Sequence, residues 1–183
     1  MIYDNDLLEM NRLWLSESWI SKYYDLICNG LWHLTSPRGI LGIKRSGFIE
    51  PNCGNFQYTL PQSKNSYGKS KKYVCLFDFF SANDTEIIYT SDRWIDFFRC
   101  HKPFTVALKL NRKSLAPSLI SNDVARQDIG YRKVWIPYVE SWYPRAIEIS
   151  EIVNYFVIPF DSPKLTEVSA EELMAEWINR TCL

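Results

Sequence analysis

The spacing of apolar residues changes character along the chain, and that change limits the fold more than any single motif. From Asp4 to Cys28 apolar residues recur at Leu7, Leu8, Met10, Leu13 and Trp14, then at Trp19, Ile20, Tyr23, Tyr24, Leu26 and Ile27. That is the spacing of a helix or two, closed at Asn29-Gly30, where glycine accepts a left-handed helix end. Strand-like runs follow. Leu31–Leu34 is short, Tyr73–Phe77 is nearly continuously apolar like a buried central strand, and Phe104–Leu110 alternates. Val134–Trp142 and Ile152–Phe160 also read as strands. A last helix opens with Ser169 and Glu172 as a capping box, with Val168 placed to staple onto Leu173. Helices at the ends and strands in the later middle predict an α+β fold rather than a doubly wound sheet.

Two further helices have local start signals. Ser36-Pro37 places a capping hydroxyl before a proline at the first helical position, and the helix carries Ile40, Leu41 and Ile43 to a stop at Gly47. Ser91 opens another, through Trp94, Ile95, Phe97 and Phe98. The aromatic faces around Trp14, Trp19, Trp94 and Trp177 read as core. Pro51 to Ser70 is polar, with few apolar anchors, and reads as a long, mobile loop. Ser114–Ile129 has no decisive period. With no repeat and no linker, 183 residues make one domain with a sizeable core.

Composition removes several function classes. Lys+Arg and Asp+Glu are equal at 21 each, so the chain lacks the overall basic excess of a duplex-DNA binder. Five scattered cysteines without a CxxC pair argue against a disulfide framework, and two separated histidines, His33 and His101, make a metal site improbable. No apolar run is long enough to cross a membrane, and the start MIYDNDLLEM is acidic where a secretory signal is basic. A cytoplasmic protein is expected. Seven glycines, with no GxxxxGK[ST], GxGxxG, GxSxG or HExxH, leave a ligand to be held by side chains and a few backbone groups.

One constellation stands out. In Leu31-Trp32-His33-Leu34-Thr35-Ser36 a histidine sits on a short strand, with a hydroxyl two residues later on the same side of an extended chain. A capped helix follows, and its N-terminus attracts anions. The pattern resembles the first motif of the ADP-ribosyltransferase superfamily, an aromatic-His-x-Thr/Ser followed by a helix and a Gly with an apolar residue. Within it the DarT-like branch is the most similar. The resemblance implies an ADP-ribosyltransferase-like split β-sheet core over 31–160, flanked by a helical segment over 1–30 and a C-terminal helix over 161–183. It also implies NAD as substrate, with His33 and Thr35 holding its adenosine-side ribose and Ser36 beside them.

Two later pieces extend the resemblance. The strand Tyr73–Phe77 stands where the family has an aromatic that packs nicotinamide, giving that role to Tyr73, with Tyr67 second. Val134–Glu140, with Pro144, Ile147, Ile149 and Ile152 after it, is similar to the segment carrying the catalytic glutamate, which makes Glu140 that residue. Ser121–Arg132 then becomes the loop that recognises a macromolecular target, protein or nucleic acid. Protein-modifying members often have Gln or Glu two residues before the glutamate; here Tyr138 stands there, so the modified residue stays open. Toxin, effector and anti-defence roles are common in the family.

Other readings stay open beside these. His33 alone reads more readily as a buried histidine bonded to backbone, and its strand–helix–Gly context brings the two readings level. Glu140, in an apolar run, needs partners, and Arg132, Lys133 or Arg145 would make it half of a structural ion pair. Lys64, Lys69, Lys71 and Lys72 around Tyr67 suit either a solvated loop or a single-strand nucleic-acid contact. The competing functions are a non-catalytic interaction protein with this fold and a nucleic-acid-processing protein that uses the Lys64–Lys72 patch.

Overall fold

The computed structural model describes residues 24, 27–51, 53, 65–129, 135–160, 166–173 and 175. The expected helices over 4–23, most of the loop over 54–64, the segment 130–134 and the end of the last helix lie outside these residues.

Six strands build one sheet. In chain order they are β1 (Leu31–Thr35), β3 (Val74–Asp78), β4 (Phe104–Leu110), β5 (Glu140–Tyr143), β7 (Ile152–Pro159) and β8 (Thr166–Val168). Across the sheet they run β5-β3-β1-β4-β7-β8, every neighbouring pair antiparallel. A small second sheet pairs β2 (Phe48–Ile49) with β6 (Ile147–Glu148). The helices are α1 (Pro37–Ser46), α2 (Tyr67–Lys71), α3 (Asp84–Tyr89), α4 (Ser91–Phe98), α5 (Arg112–Leu115) and α6 (Asn122–Ile129). The protein is thus mixed α+β on an antiparallel sheet. Among the described residues no helix is long and apolar enough to cross a membrane.

Register assigns the faces. Directly opposed residues point to the same side of an antiparallel pair. Trp32 opposes Phe77, and Phe77 opposes Glu140, so these three share one face. Leu31 and His33 point the other way, with His33 opposite Leu108. On the Trp32 face, Ile87 and Ile88 of α3 and Trp94, Ile95 and Phe98 of α4 pack with Trp32, Phe77, Ala107 and Phe156. On the opposite face Ile40 and Ile43 of α1 pack with Leu31, Leu76, Val106 and Leu108. A third cluster joins Tyr67, Ala125 and Trp142 with Tyr73, Cys75 and Trp135. Each apolar side chain taken fully out of water contributes about 1.5–3 kcal/mol, so these helical layers, not helix propensity, hold the short helices.

Several local expectations match. α1 starts at Pro37 and ends at Gly47, which is left-handed at φ 79°. Ser169 and Glu172 form both bonds of the capping box, and Leu173 is fully buried in the α1-side core.

Three expectations are corrected. Tyr67–Ser70 is helix rather than loop, because Ser66 caps the Lys69 N–H at 3.3 Å and Tyr67 buries its ring against Trp142. Residues 135–139 are not strand. Pro137–Val139 is a turn, its Val139 N–H donating to the Pro137 carbonyl, and Tyr138 is left-handed at φ 67°. Proline removes a ladder donor there, so β5 begins only at Glu140. The alternation expected in β4 is absent, six of its seven residues being buried, because helical layers cover the sheet on both faces.

Candidate functional site

The end of β1 is organised locally. Ser36 is extended, and its Oγ accepts from the Gly39 N–H at 2.9 Å. Thr35 packs onto this first turn so closely that a Cβ on Gly39 would lie 2.0 Å from its Oγ1. Glycine is therefore required where strand and helix meet.

His33 sits where β1 and β3 meet. The ladder between them runs through Leu31↔Asp78 and Trp32↔Phe77. Beyond it the His33 Nδ1 lies 3.1 Å from the Cys75 carbonyl. A carbonyl only accepts, so Nδ1 carries the proton and Nε2 is an acceptor in the neutral ring. Burial lowers the His33 pKa to about 4, against an opposing contribution from the Cys75 carbonyl. The ring is neutral at pH 7 and suited to hold a hydroxyl, not to act as an acid.

Glu140 is 7% exposed. Its Oε2 accepts from the Ile136 N–H at 2.8 Å, and its own N–H donates to the Ile136 carbonyl at 3.2 Å. Its carbonyl accepts from Asn122 Nδ2. Burial raises its pKa to about 7, opposed by the Ile136 N–H and by the Trp142 indole. The indole Nε1 meets no partner at hydrogen-bond geometry, yet it lies near enough to favour the anions of both Glu140 and Cys75. Arg145 donates to the Tyr143 hydroxyl at 3.1 and 3.3 Å instead of to Glu140, and Arg132 and Lys133 lie outside the described residues. Among the described residues, then, Glu140 is a buried carboxyl without a basic partner.

Tyr73 is half-buried just before β3, edge-on to Tyr67 at 6.2 Å. Tyr67 donates to Asp128 Oδ2 at 3.0 Å, and Lys71 pairs with the same carboxylate at 2.5 Å. Tyr67 and Lys71 thus belong to one internal network tying α2 to α6. Lys64 lies outside the described residues.

No family model, curated protein or solved structure matches this chain.

The sheet order makes β1, β3 and β5 consecutive neighbours, so His33, Tyr73 and Glu140 stand on or beside three adjacent strands. Cys75 links them, its carbonyl on His33 and its thiol beside Glu140. Their side chains do not share a face. Glu140 points with Phe77 and Trp32; His33 and Thr35 belong to the α1 side. No direct contact joins His33 to Glu140. Among the described residues no group of His, Cys, Asp and Glu could hold a metal ion.

The sequence places Asn122, with Arg126, Gln127 and Tyr131, in the expected target loop over Ser121–Arg132. Residues Asn122–Ile129 are instead helix α6, with Asn122 buried at its start, and neither its link to Glu140 nor the place of Trp142 is legible in the sequence. Nothing local marks them, since their partners lie across the fold. Helix α3 did carry a signal: Asn83 and Glu86 form a complete capping box that the apolar spacing concealed.

Proposed function

We propose that the chain is an ADP-ribosyltransferase-like enzyme that cleaves the nicotinamide–ribose bond of NAD and passes ADP-ribose to a macromolecule, protein or nucleic acid. The observation that carries the reading is Glu140, a buried carboxyl with a raised pKa and, among the described residues, no cation beside it. Such groups concentrate where chemistry is done. The neutral His33 at the divergence of β1 and β3, next to the capped start of α1, supports the reading as an anchor for ribose hydroxyls.

The chemistry follows from charge. As the bond to nicotinamide lengthens, both electrons leave with the ring and positive charge develops on the ribose, as in glycoside cleavage. An ionised Glu140 stabilises that charge in the transition state. Thr35 and Ser36 add hydroxyls near the adenosine ribose, and the Tyr73 ring offers a face for nicotinamide. An acceptor nucleophile on the target then takes the ribose carbon and releases its proton to solvent.

A second reading has its own observation: the Oε2 of Glu140 closes the 136–140 turn through the Ile136 N–H, as in a non-catalytic interaction protein of this fold. A nucleic-acid protein built on the Lys64–Lys72 patch fits less well, because Tyr67 is 2% exposed and Lys71 is paired. Nicotinamide release from NAD, measured with wild type and Glu140→Gln alongside thermal melting, separates the first two readings. A melting loss with unchanged nicotinamide release would favour the structural role.

A further inference from the structure

We infer that Asn122 is a positioning residue for Glu140, an inference that rests on reading Glu140 as the carboxylate of NAD cleavage. β5 lies on the outer side of β3, and its inner edge pairs Glu140 with Phe77. Along its outer edge Ile120 and Trp142 exchange both main-chain bonds, at 2.8 and 3.1 Å. Two residues further on the main chain turns away into α6. There the side chain of Asn122 takes over the ladder, its Nδ2 donating to the Glu140 carbonyl.

The orientation of this amide is fixed. A carbonyl only accepts, so Nδ2 must face Glu140 and Oδ1 must turn away. Asn122 is 8% exposed, and its Oδ1 is buried with no partner among the described residues. Leaving a buried acceptor unsatisfied is unfavourable. The fold tolerates it at the residue that holds Glu140.

Four hydrogen bonds fix the Glu140 neighbourhood. Ile136 holds its N–H and its carboxyl, the Asp78 N–H holds the Val139 carbonyl at 2.7 Å, and Asn122 holds the Glu140 carbonyl. Of the partners that hold Glu140, Asn122 alone acts through its own side chain, so its bond can be removed without changing the main chain. Among the described residues the Cys75 thiol on β3 shares the Glu140 face; Asp78 with its Arg112 partner adjoins Phe77 but, opposite Leu31, belongs with His33 to the other face, and α6 carries Asp123, Arg126 and Asp128.

The test uses the full chain with NAD as probe. It compares Asn122→Ala, Asn122→Ser, Asn122→Asp, Glu140→Gln and the Asn122→Ala/Glu140→Gln pair. Asn122→Ala is expected to lower kcat for nicotinamide release about 10-fold with KM within about 2-fold, the pattern of a group acting in the transition state. Asn122→Ser, which keeps a donor, recovers part of that loss. In the Glu140→Gln background Asn122→Ala is expected to have no further effect, because residues acting through one another are not additive. Asn122→Asp places a second carboxylate against the site, so the Glu140 titration, followed by carbon-13 NMR of its carboxyl, moves up by about one pH unit. Additive kcat losses in the double variant, or an unmoved Glu140 midpoint in folded Asn122→Asp, overturn the inference while leaving Glu140 catalysis intact. If wild type releases no nicotinamide and the midpoint still moves, the NAD reading falls and the hold of Asn122 on Glu140 stands.

Discussion

Asp78 and Glu140 are buried to nearly the same depth, 5% and 7% exposed, on neighbouring strands at the same end of the sheet. The fold treats them in opposite ways. Asp78 accepts from Arg112 at 3.0 Å through Nε and 3.2 Å through Nη2, and from the Ser81 hydroxyl at 2.7 Å. Arg112 in turn donates to Ser81 and covers the Phe80 ring at 4.4 Å. Among the described residues Glu140 receives one main-chain N–H and no cation. The described residues supply a forked guanidinium to one buried carboxylate and none to the next. Asp78 is thereby committed to structure. Glu140 keeps its charge unspent, which suits a group meant to meet positive charge only in a transition state.

The largest effect should come from breaking the satisfied side of this comparison. Arg112→Ala strands the Asp78 carboxylate in the interior, and removing one partner of a buried pair costs about 3 kcal/mol. Chemical unfolding of wild type and variant should show that loss, with a melting temperature roughly 10 °C lower for a chain of this length. Asp78→Asn in the Arg112→Ala background should restore part of it. An Arg112→Ala protein as stable as wild type would mean that Asp78 does not need its partner, and the contrast with Glu140 would dissolve.

The opposite outcome is expected at Glu140. Glu140→Gln keeps an acceptor for the Ile136 N–H and removes the charge. If the proposed chemistry holds, nicotinamide release falls by on the order of 10²-fold, about 2.7 kcal/mol of barrier, with NAD affinity little changed. Stability should also respond to pH through Glu140. The folded pKa of Glu140, about 7, lies above the ordinary 4.5. Its contribution is therefore fully present below pH 4.5 and is lost as pH rises through 7. The accumulated loss is on the order of 3 kcal/mol at a plateau above pH 7. Glu140→Gln should remove that component, so the variant ought to be more stable than wild type at pH 8. The wild-type rate should rise with pH through about 7 as the carboxylate forms. A pH-independent rate from 6 to 8 would exclude the ionised form as the working one.

This contrast also marks what could be read from the sequence. Everything about α1 lies within twelve residues: Ser36, Pro37, the apolar spacing and Gly47 each act on their near neighbours, so the helix and its ends were legible. The Ser169–Glu172 box was legible for the same reason. The Glu140 environment was not. It depends on Asn122, 18 residues away, and on β3, more than sixty residues earlier, none of which a local pattern encodes. The run ending at Trp142 was apolar enough to read as one strand, and only Pro137 hinted at the turn that holds the carboxyl. Identity of the site residues could be proposed from sequence; their opposite faces required the register.

His33 provides the smallest and most selective test. It is a third titratable group, half-buried, and the fold accommodates it by keeping it neutral and giving Nδ1 the Cys75 carbonyl. Its folded pKa, about 4, lies below the ordinary 6.5. Its stability contribution is therefore present above pH 6.5 and is lost as pH falls towards 4, opposite in sign to that of Glu140. Between about pH 4.5 and 6.5 the two slopes oppose each other, and Glu140→Gln should expose the His33 slope alone. As an anchor, His33 serves ground and transition states alike, so His33→Ala should raise KM for NAD about 10-fold, roughly 1.4 kcal/mol, and leave kcat nearly unchanged. His33→Asn retains a donor that can reach the Cys75 carbonyl while losing the Nε2 acceptor. If the ring is merely structural, His33→Asn should behave as wild type in KM; if it anchors substrate, His33→Asn should match His33→Ala in KM while melting closer to wild type. A KM that follows melting temperature across the two variants would assign His33 to the core and leave Glu140 to be explained without it.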